Sequence, residues 1–156
     1  MDDVKTVTVQ IKEICLRLLT YREHSQQELL QKLALKGFTA HLVQPILDEL
    51  VLSDWQSDTR YAVSYARQRI SKGYGALRVA YELRQRGVAA FDLEDVILEV
   101  ADGWLDLLER TYLNKYIHEP IISRHEWAKR SRFLLQRGFS AAMISALFKR
   151  LQLKFE

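Results

Sequence analysis

The chain has 156 residues, 48% hydrophobic and 28% charged, with a net charge of +3 and one cysteine. That balance excludes disorder, and no apolar run approaches the roughly 20 residues needed to cross a bilayer. The opening "MDDVKTVTVQ" is neither a signal nor a transit peptide, and a lone Cys15 forms no intramolecular disulfide, so the expected compartment is the cytoplasm.

The net charge conceals an alternation: −3 over residues 1–58, +6 over 59–90, −6 over 91–110 and +6 over 111–156. Either a basic and an acidic surface coexist on one molecule, or solvated helix faces merely cluster charge.

Ile11, Ile14, Cys15, Leu18 and Leu19 recur at the spacing of one helix face, predicting a first helix over roughly residues 5–22. "SQQE", Ser25 to Glu28, is a capping box opening a second helix. Its stripe is Leu29, Leu30 and Leu33; Gly37 ends it in the left-handed conformation, and Phe38 folds back onto the stripe. The third helix lies around "HLVQPILDELVL"; either it starts only near Gln44 or it is kinked at Pro45, and the first is expected, with Pro45 in the first turn, where a missing N–H does no harm. Asp58 is the expected N-cap of the next helix, which carries Tyr61, Ala62, Tyr65, Ala66, Arg69 and Ile70. "KGYG" breaks it; Gly75 caps a helix with Leu77, Val79, Ala80 and Leu83 apolar, which Gly87 closes, and a short helix around "DLEDVILEV" follows. In the last third, "SRHE" from Ser123 to Glu126 is a second capping box, Phe133 and Leu134 supply the stripe, Gly138 terminates, and "SAAMISALFKRL" continues.

The terminating glycines at 37, 87 and 138 are 50 and 51 residues apart. The expected fold is therefore all-α: three tandem three-helix repeats over 1–57, 58–102 and 103–156. Each is too small to bury its apolar face alone, so an elongated, curved, solenoid-like arrangement is expected.

Catalytic chemistry is not expected. Cys15 lies on the apolar face of its helix as a core residue. His24, His41, His118 and His125 make neither an HExxH pair nor a zinc set, so no metal or cofactor is implied. "SKGYGALR" lacks phosphate-loop spacing and follows a helix, while Asp92, Glu94, Asp95 and Glu99 lack EF-hand alternation and belong on an exposed helix face. Trp55, Trp104 and Trp127, one per repeat, are expected to pack between helices, or to anchor a partner where one is exposed. The lead is basic: Arg60, Arg67, Lys72, Arg78, Arg84 and Arg86, then Lys129, Arg130, Arg132 and Arg137, interleaved with Tyr61, Tyr65, Tyr74 and Tyr81. Arginine grips phosphates and aromatics stack on unpaired bases, but both also enrich protein interfaces.

The stretches "YREHSQQELLQKLALKGF", "DTRYAVSYARQRISKGYGALRVAYELRQRGV" and "RFLLQRGFS" resemble the RecX family of bacterial regulatory proteins, from about Ile14 to Leu151. The matching positions include Arg22, Ser25, Glu28 and Gly37, then Asp58, Tyr65, Gly73, Gly75, Glu82 and Gly87, then Leu134, Arg137 and Gly138. The chain departs at Ala76, where the family commonly carries proline, a substitution a first turn tolerates. The resemblance implies a non-catalytic modulator of the RecA recombinase, monomeric and without cofactor. It would bind the RecA filament on single-stranded DNA along its groove and oppose filament extension, ATP hydrolysis, strand exchange and SOS coprotease activity. Candidate contacts with the filament are Arg67, Arg69, Lys72, Arg78, Arg84, Arg86, Lys129, Arg130, Arg132 and Arg137, whereas Gly73, Gly75, Tyr65, Glu82 and Leu83 are expected to be structural. Weak direct contact with DNA accompanies this reading. The alternatives are a helical repeat protein whose main ligand is DNA itself and a plain helical adaptor.

Overall fold

The computed structural model describes residues 2–156. They form nine helices: α1 (Asp2–Tyr21), α2 (Gln26–Leu35), α3 (Ala40–Leu52), α4 (Asp58–Ser71), α5 (Ala76–Gln85), α6 (Glu94–Val100), α7 (Trp104–Lys115), α8 (Arg124–Gln136) and α9 (Ala141–Arg150). Ile121–Ile122 (β1) pairs in parallel with Lys154–Phe155 (β2), a two-residue contact too short to leave a period in the sequence. The fold is all-α and built of tandem three-helix repeats. By contacts the chain divides into two compact units, Met1–Ser64 with Leu83–Phe91 and Tyr65–Glu82 with Asp92–Glu156, so the division falls inside α4 and α5.

In the first unit α1 and α2 both pack on α3. Ile11 and Cys15, Leu29 and Leu33, and Val43, Ile46, Leu47 and Leu50 form one buried cluster. Burying each leucine or isoleucine contributes about 1.5–3 kcal/mol. Cys15 is fully buried, and desolvation pushes its thiol pKa up to about 11, the setting of a core residue. The Ser25 box closes in both directions: Glu28 N–H donates to Ser25 Oγ at 3.1 Å, and Ser25 N–H donates to Glu28 Oε1 at 3.2 Å. At the other end of α2, Gly37 has φ 93°, the Gly37 and Phe38 N–H groups donate to Ala34 and Leu33, both at 3.0 Å, and Phe38 packs against the cluster.

Two helix starts differ from expectation. Pro45 lies inside α3 rather than in its first turn, because Thr39 already accepts from Leu42 and Val43 and buried Val43 must join the helical face. Pro45 and His41, whose carbonyl loses its partner, are both exposed. At α4 the cap is Ser57, whose Oγ accepts from Arg60 N–H at 3.1 Å. Asp58 faces elsewhere: its Oδ1 accepts from Gln26 N–H, an otherwise unbonded donor at the start of α2, and from Gln56 Nε2, both at 2.9 Å. Buried Gln56 also donates to the His24 carbonyl at 3.0 Å. His24 itself is buried; its Nδ1 donates to the Arg22 carbonyl, leaving Nε2 to accept from Lys32 Nζ, both at 3.0 Å. Burial lowers the His24 pKa by more than the Arg22 carbonyl raises it, and the charges of Arg22 and Lys32 lower it further.

In the second unit α7 and α8 both pack on α9. Trp127 sits 5.9 Å from Tyr112 and 5.1 Å from Phe148, ring centre to ring centre, as an inter-helix packer should. Trp55 does not follow that rule: it is 55% exposed, just beyond Asp54, whose φ of 65° turns the chain out of α3. The second capping box is half made. Ser123 Oγ accepts from Glu126 N–H at 3.1 Å, but the Glu126 carboxylate turns to Arg130, at 3.0 Å.

The turn glycines also serve as landing points. In the first unit Gln27 Nε2, from the first turn of α2, donates to the Gln85 carbonyl at 2.9 Å; in the second, Arg78 Nη1, from the first turn of α5, donates to the Gln136 carbonyl at 2.8 Å. Both bonds link residues 58 apart in the chain. A Cβ on Gly138 would lie 2.6 Å from the Arg78 backbone nitrogen, and the turn's own carbonyls, Arg137 and Gly138, accept from Gly75 N–H (2.7 Å) and Leu77 N–H (3.1 Å). Gly37, by contrast, has nothing within 4 Å of such a Cβ.

Two outcomes follow from these contacts. Gly37→Ala should lose only the left-handed preference, about 1–2 kcal/mol, while Gly138→Ala should lose that and roughly a further 1–3 kcal/mol from the forced separation of backbones; equal losses in urea denaturation would contradict the landing-point role. Because unfolded His24 takes up a proton around its ordinary pKa of 6.5 and the folded ring resists it, stability should fall as pH drops below 6.5. The urea midpoint should be lower at about pH 5.5 than at about pH 7.5, and His24→Gln should shrink that difference; an undiminished difference would exclude His24 as its source.

Candidate functional site

A surface cation attracts a polyanion only in so far as no carboxylate of its own chain already holds it. The candidate residues divide on that criterion. Arg67, on α4, pairs with Glu99 of α6 at 2.7 Å. Arg69 and Arg78 converge on Glu82, at 3.0 and 3.3 Å, and Tyr65 donates its hydroxyl to the same carboxylate at 2.5 Å. Burial alone would raise the Glu82 pKa, but the hydrogen bonds from Tyr65 and Arg69 outweigh it and hold the carboxylate below its ordinary value. Arg130, whose side chain is only 12% exposed, is held by Glu126 at 3.0 Å and by the Tyr112 hydroxyl at 2.7 Å. These four arginines are occupied in organising the second unit. Arg60, in the first, is likewise taken by Glu23 and Asp54.

Lys72, Arg84, Lys129, Arg132 and Arg137 make no ion pair among the described residues. Arg84 is exposed and Arg86 half-buried, both within the first unit; Lys72, Lys129 and Arg132 are exposed within the second. Arg137 is half-buried and held entirely by uncharged groups: Nη1 donates to the Lys72 carbonyl at 2.9 Å, and the guanidinium lies 4.5 Å from the Tyr74 ring centre and 5.2 Å from that of Phe133. Tyr74 in turn carries Arg69 at 3.7 Å and Arg78 at 5.0 Å, so one ring orients three guanidinium groups.

Two further cations, not singled out from the sequence, join Lys72 and Arg137. Arg110 donates to the Val100 carbonyl at 3.0 Å, and Lys115 Nζ lies 3.7 Å from the Phe133 ring centre. These four residues line one cleft of about 310 Å³ in the second unit, together with Ser71, Gly73, Leu107, Thr111, Asn114 and Phe133. No acidic residue lines it. Arg110 escapes a charge count because it is the single cation of the acidic stretch 91–110. The available signal was periodicity: Leu107, Arg110, Thr111 and Asn114 follow the three-and-four spacing that puts them on one face of α7.

Among the described residues no group of three histidine, cysteine or acidic side chains is placed to hold a metal ion, and no helix is long and apolar enough to cross a membrane.

Comparison with known proteins gives a consistent result. Residues 12–50 match the family model described as RecX, first three-helix domain, and residues 57–97 match RecX, second three-helix domain. A regulatory protein RecX from Legionella pneumophila (strain Corby) is 40% identical over 86% of this chain and 89% of the relative. Another from Pseudomonas fluorescens is 37% identical over 94% of this chain and 95% of the relative. The crystal structure of RecX from Lactobacillus salivarius superposes with a TM-score of 0.76 at 22% identity, covering 97% of this chain and 98% of that one, a likeness of fold.

Proposed function

The chain belongs to the RecX family, and from that premise we propose that it is a negative regulator of the RecA recombinase. It binds the RecA filament on single-stranded DNA and opposes filament extension, ATP hydrolysis, strand exchange and SOS coprotease activity. It acts as a monomer in the cytoplasm, without catalysis, through three repeats at 1–57, 58–102 and 103–156. The observation that carries this reading is 40% identity to a regulatory protein RecX over most of both chains. The cations without carboxylate partners support it, since their charge is available to a DNA-bearing filament.

Within the proposed interface the contacts are unequal. Lys72, Arg84, Lys129, Arg132 and Arg137 supply charge, while Arg67, Arg69, Arg78 and Arg130 hold the scaffold through Glu99, Glu82 and Glu126. Direct binding to DNA is the second reading, and the unpaired cations favour it. Salt-titrated binding to a single strand with and without RecA separates the two, because a pure DNA binder gains little from RecA and shows a steep salt dependence.

Reversing Lys72, Lys129 and Arg132 to Glu should leave the Tm within a few degrees of wild type, because exposed unpaired side chains contribute little to stability. The concentration needed to inhibit RecA's DNA-dependent ATPase and filament extension should rise at least about tenfold. A folded triple variant that inhibits as well as wild type would remove these residues from the interface.

A further inference from the structure

The cleft in the second unit has an electrostatic balance that the protein alone leaves incomplete. Lys72, Arg110, Lys115 and Arg137 face it, and no carboxylate lines it. Elsewhere in the same unit, cations near acids are neutralised: Arg150 takes both Asp106 and Glu109 of α7, at 2.6 and 3.5 Å. That pairing occupies both acids of α7 and leaves Arg110 and Lys115 on the cleft-lining face without one.

What fixes the cleft's cations is as informative as what they lack. Arg137 is held by the Lys72 carbonyl and the rings of Tyr74 and Phe133, Arg110 by the Val100 carbonyl, and Lys115 by the Phe133 ring. Carbonyls and ring faces orient a cation without cancelling its charge, so these groups are positioned yet still available to an anion. The Asn114 amide and the Ser71 hydroxyl add neutral donors to the lining. Thr111 does not, because its hydroxyl already donates to the Leu107 carbonyl at 2.8 Å. The volume, about 310 Å³, lies at the lower end of the range that accommodates small ligands. Lys115 already stands over Phe133, so the cleft offers charge and hydrogen bonds rather than a free ring for stacking a base.

We infer that this cleft binds phosphate oxyanions bearing more than one negative charge. The phosphates come either from neighbouring positions of a single-strand backbone or from the polyphosphate of a free nucleotide. Guanidinium groups match phosphate oxygens two at a time and ammonium groups add charge at any angle, which suits a ligand with oxygens on several sides. Only the strand source rests on the RecA-regulator reading.

The test is calorimetric titration of the full chain, without RecA, at fixed low ionic strength. The probes are inorganic tripolyphosphate, a 5′-hydroxyl thymidine oligonucleotide and hexaglutamate. Saturable binding of tripolyphosphate, of the oligonucleotide or of both is expected, with hexaglutamate clearly weaker. Arg110→Gln with Lys115→Gln should weaken that binding at least about tenfold, and Lys72→Gln alone about threefold or more. Lys149→Gln with Lys154→Gln, an equal loss of charge at exposed positions outside the cleft, should change it less than about twofold. If the double variant fails to fold, Lys72→Gln decides, since the Lys72 side chain is exposed and bonds to nothing among the described residues. Tripolyphosphate binding alone identifies a nucleotide source; an oligonucleotide that tripolyphosphate displaces identifies the strand. No saturation with either phosphate probe, equal affinity for hexaglutamate, or equal loss in the control pair would overturn the inference. Because RecA is absent, such a failure leaves the regulatory reading untouched, and a failure to inhibit RecA leaves a positive titration standing.

Discussion

The hydrogen bond that the middle helix of one repeat gives to the end of the next repeat's middle helix is the constraint on which the architecture turns. Gln27 makes it to Gln85 in the first unit and Arg78 makes it to Gln136 in the second, across the same chain separation. The carbonyls near a helix C-terminus have no partner in their own helix, so a donor supplied there satisfies a group that would otherwise need water. The glycine that follows leaves room for the donor: a Cβ would meet the Gln27 side chain at Gly87 and the Arg78 backbone at Gly138. In the second unit the approach is closer still, and the α8–α9 turn returns two carbonyls to the first turn of α5. In the second unit one short motif thus ends a helix and satisfies the start of another.

The same constraint shapes the charge available for function. Arg78 is held by Glu82 and the Gln136 carbonyl, and Glu82 is shared with Arg69 and Tyr65. Within the basic stretch 59–90, Arg60, Arg67, Arg69 and Arg78 are thus paired with carboxylates. Arg137 is held by a carbonyl and two rings instead, and Lys72 and Arg84 make no ion pair among the described residues. This gives a physical meaning to an alternating charge pattern that by itself distinguished nothing: the count along the chain is the same whether an arginine is paired or free, and only the fold decides which it is.

The repeats and most helix boundaries were legible because their signals are local. The Ser25 box, the Gly37 turn and the apolar spacing of α1 and α2 each lie within a few residues, and each is made as its letters specify. The misreadings arise where a competing partner or burial overrides the pattern of immediate neighbours. Asp58 reads as a cap from its neighbours, yet its oxygen accepts from the Gln26 N–H, 32 residues away. Glu126 follows the box spacing but prefers the Arg130 guanidinium, and Pro45 is carried inside α3 because burial of Val43 sets where that helix begins. Of the cleft, Lys72 and Arg137 were visible as basic residues, but Arg110 and Lys115 enter through the packing of α7, which no charge count reveals.

The junction is tested most directly by native-state hydrogen exchange at Gly75 and Leu77. Amides at the start of an isolated helix have no partner and exchange freely, whereas here Gly75 N–H is bonded to the Arg137 carbonyl and Leu77 N–H to that of Gly138. Protection of both amides approaching that of the interior amide of Leu83, and lost in Gly138→Ala, is the result this account predicts. Exchange at the rate of an unprotected amide in the wild-type chain would contradict it.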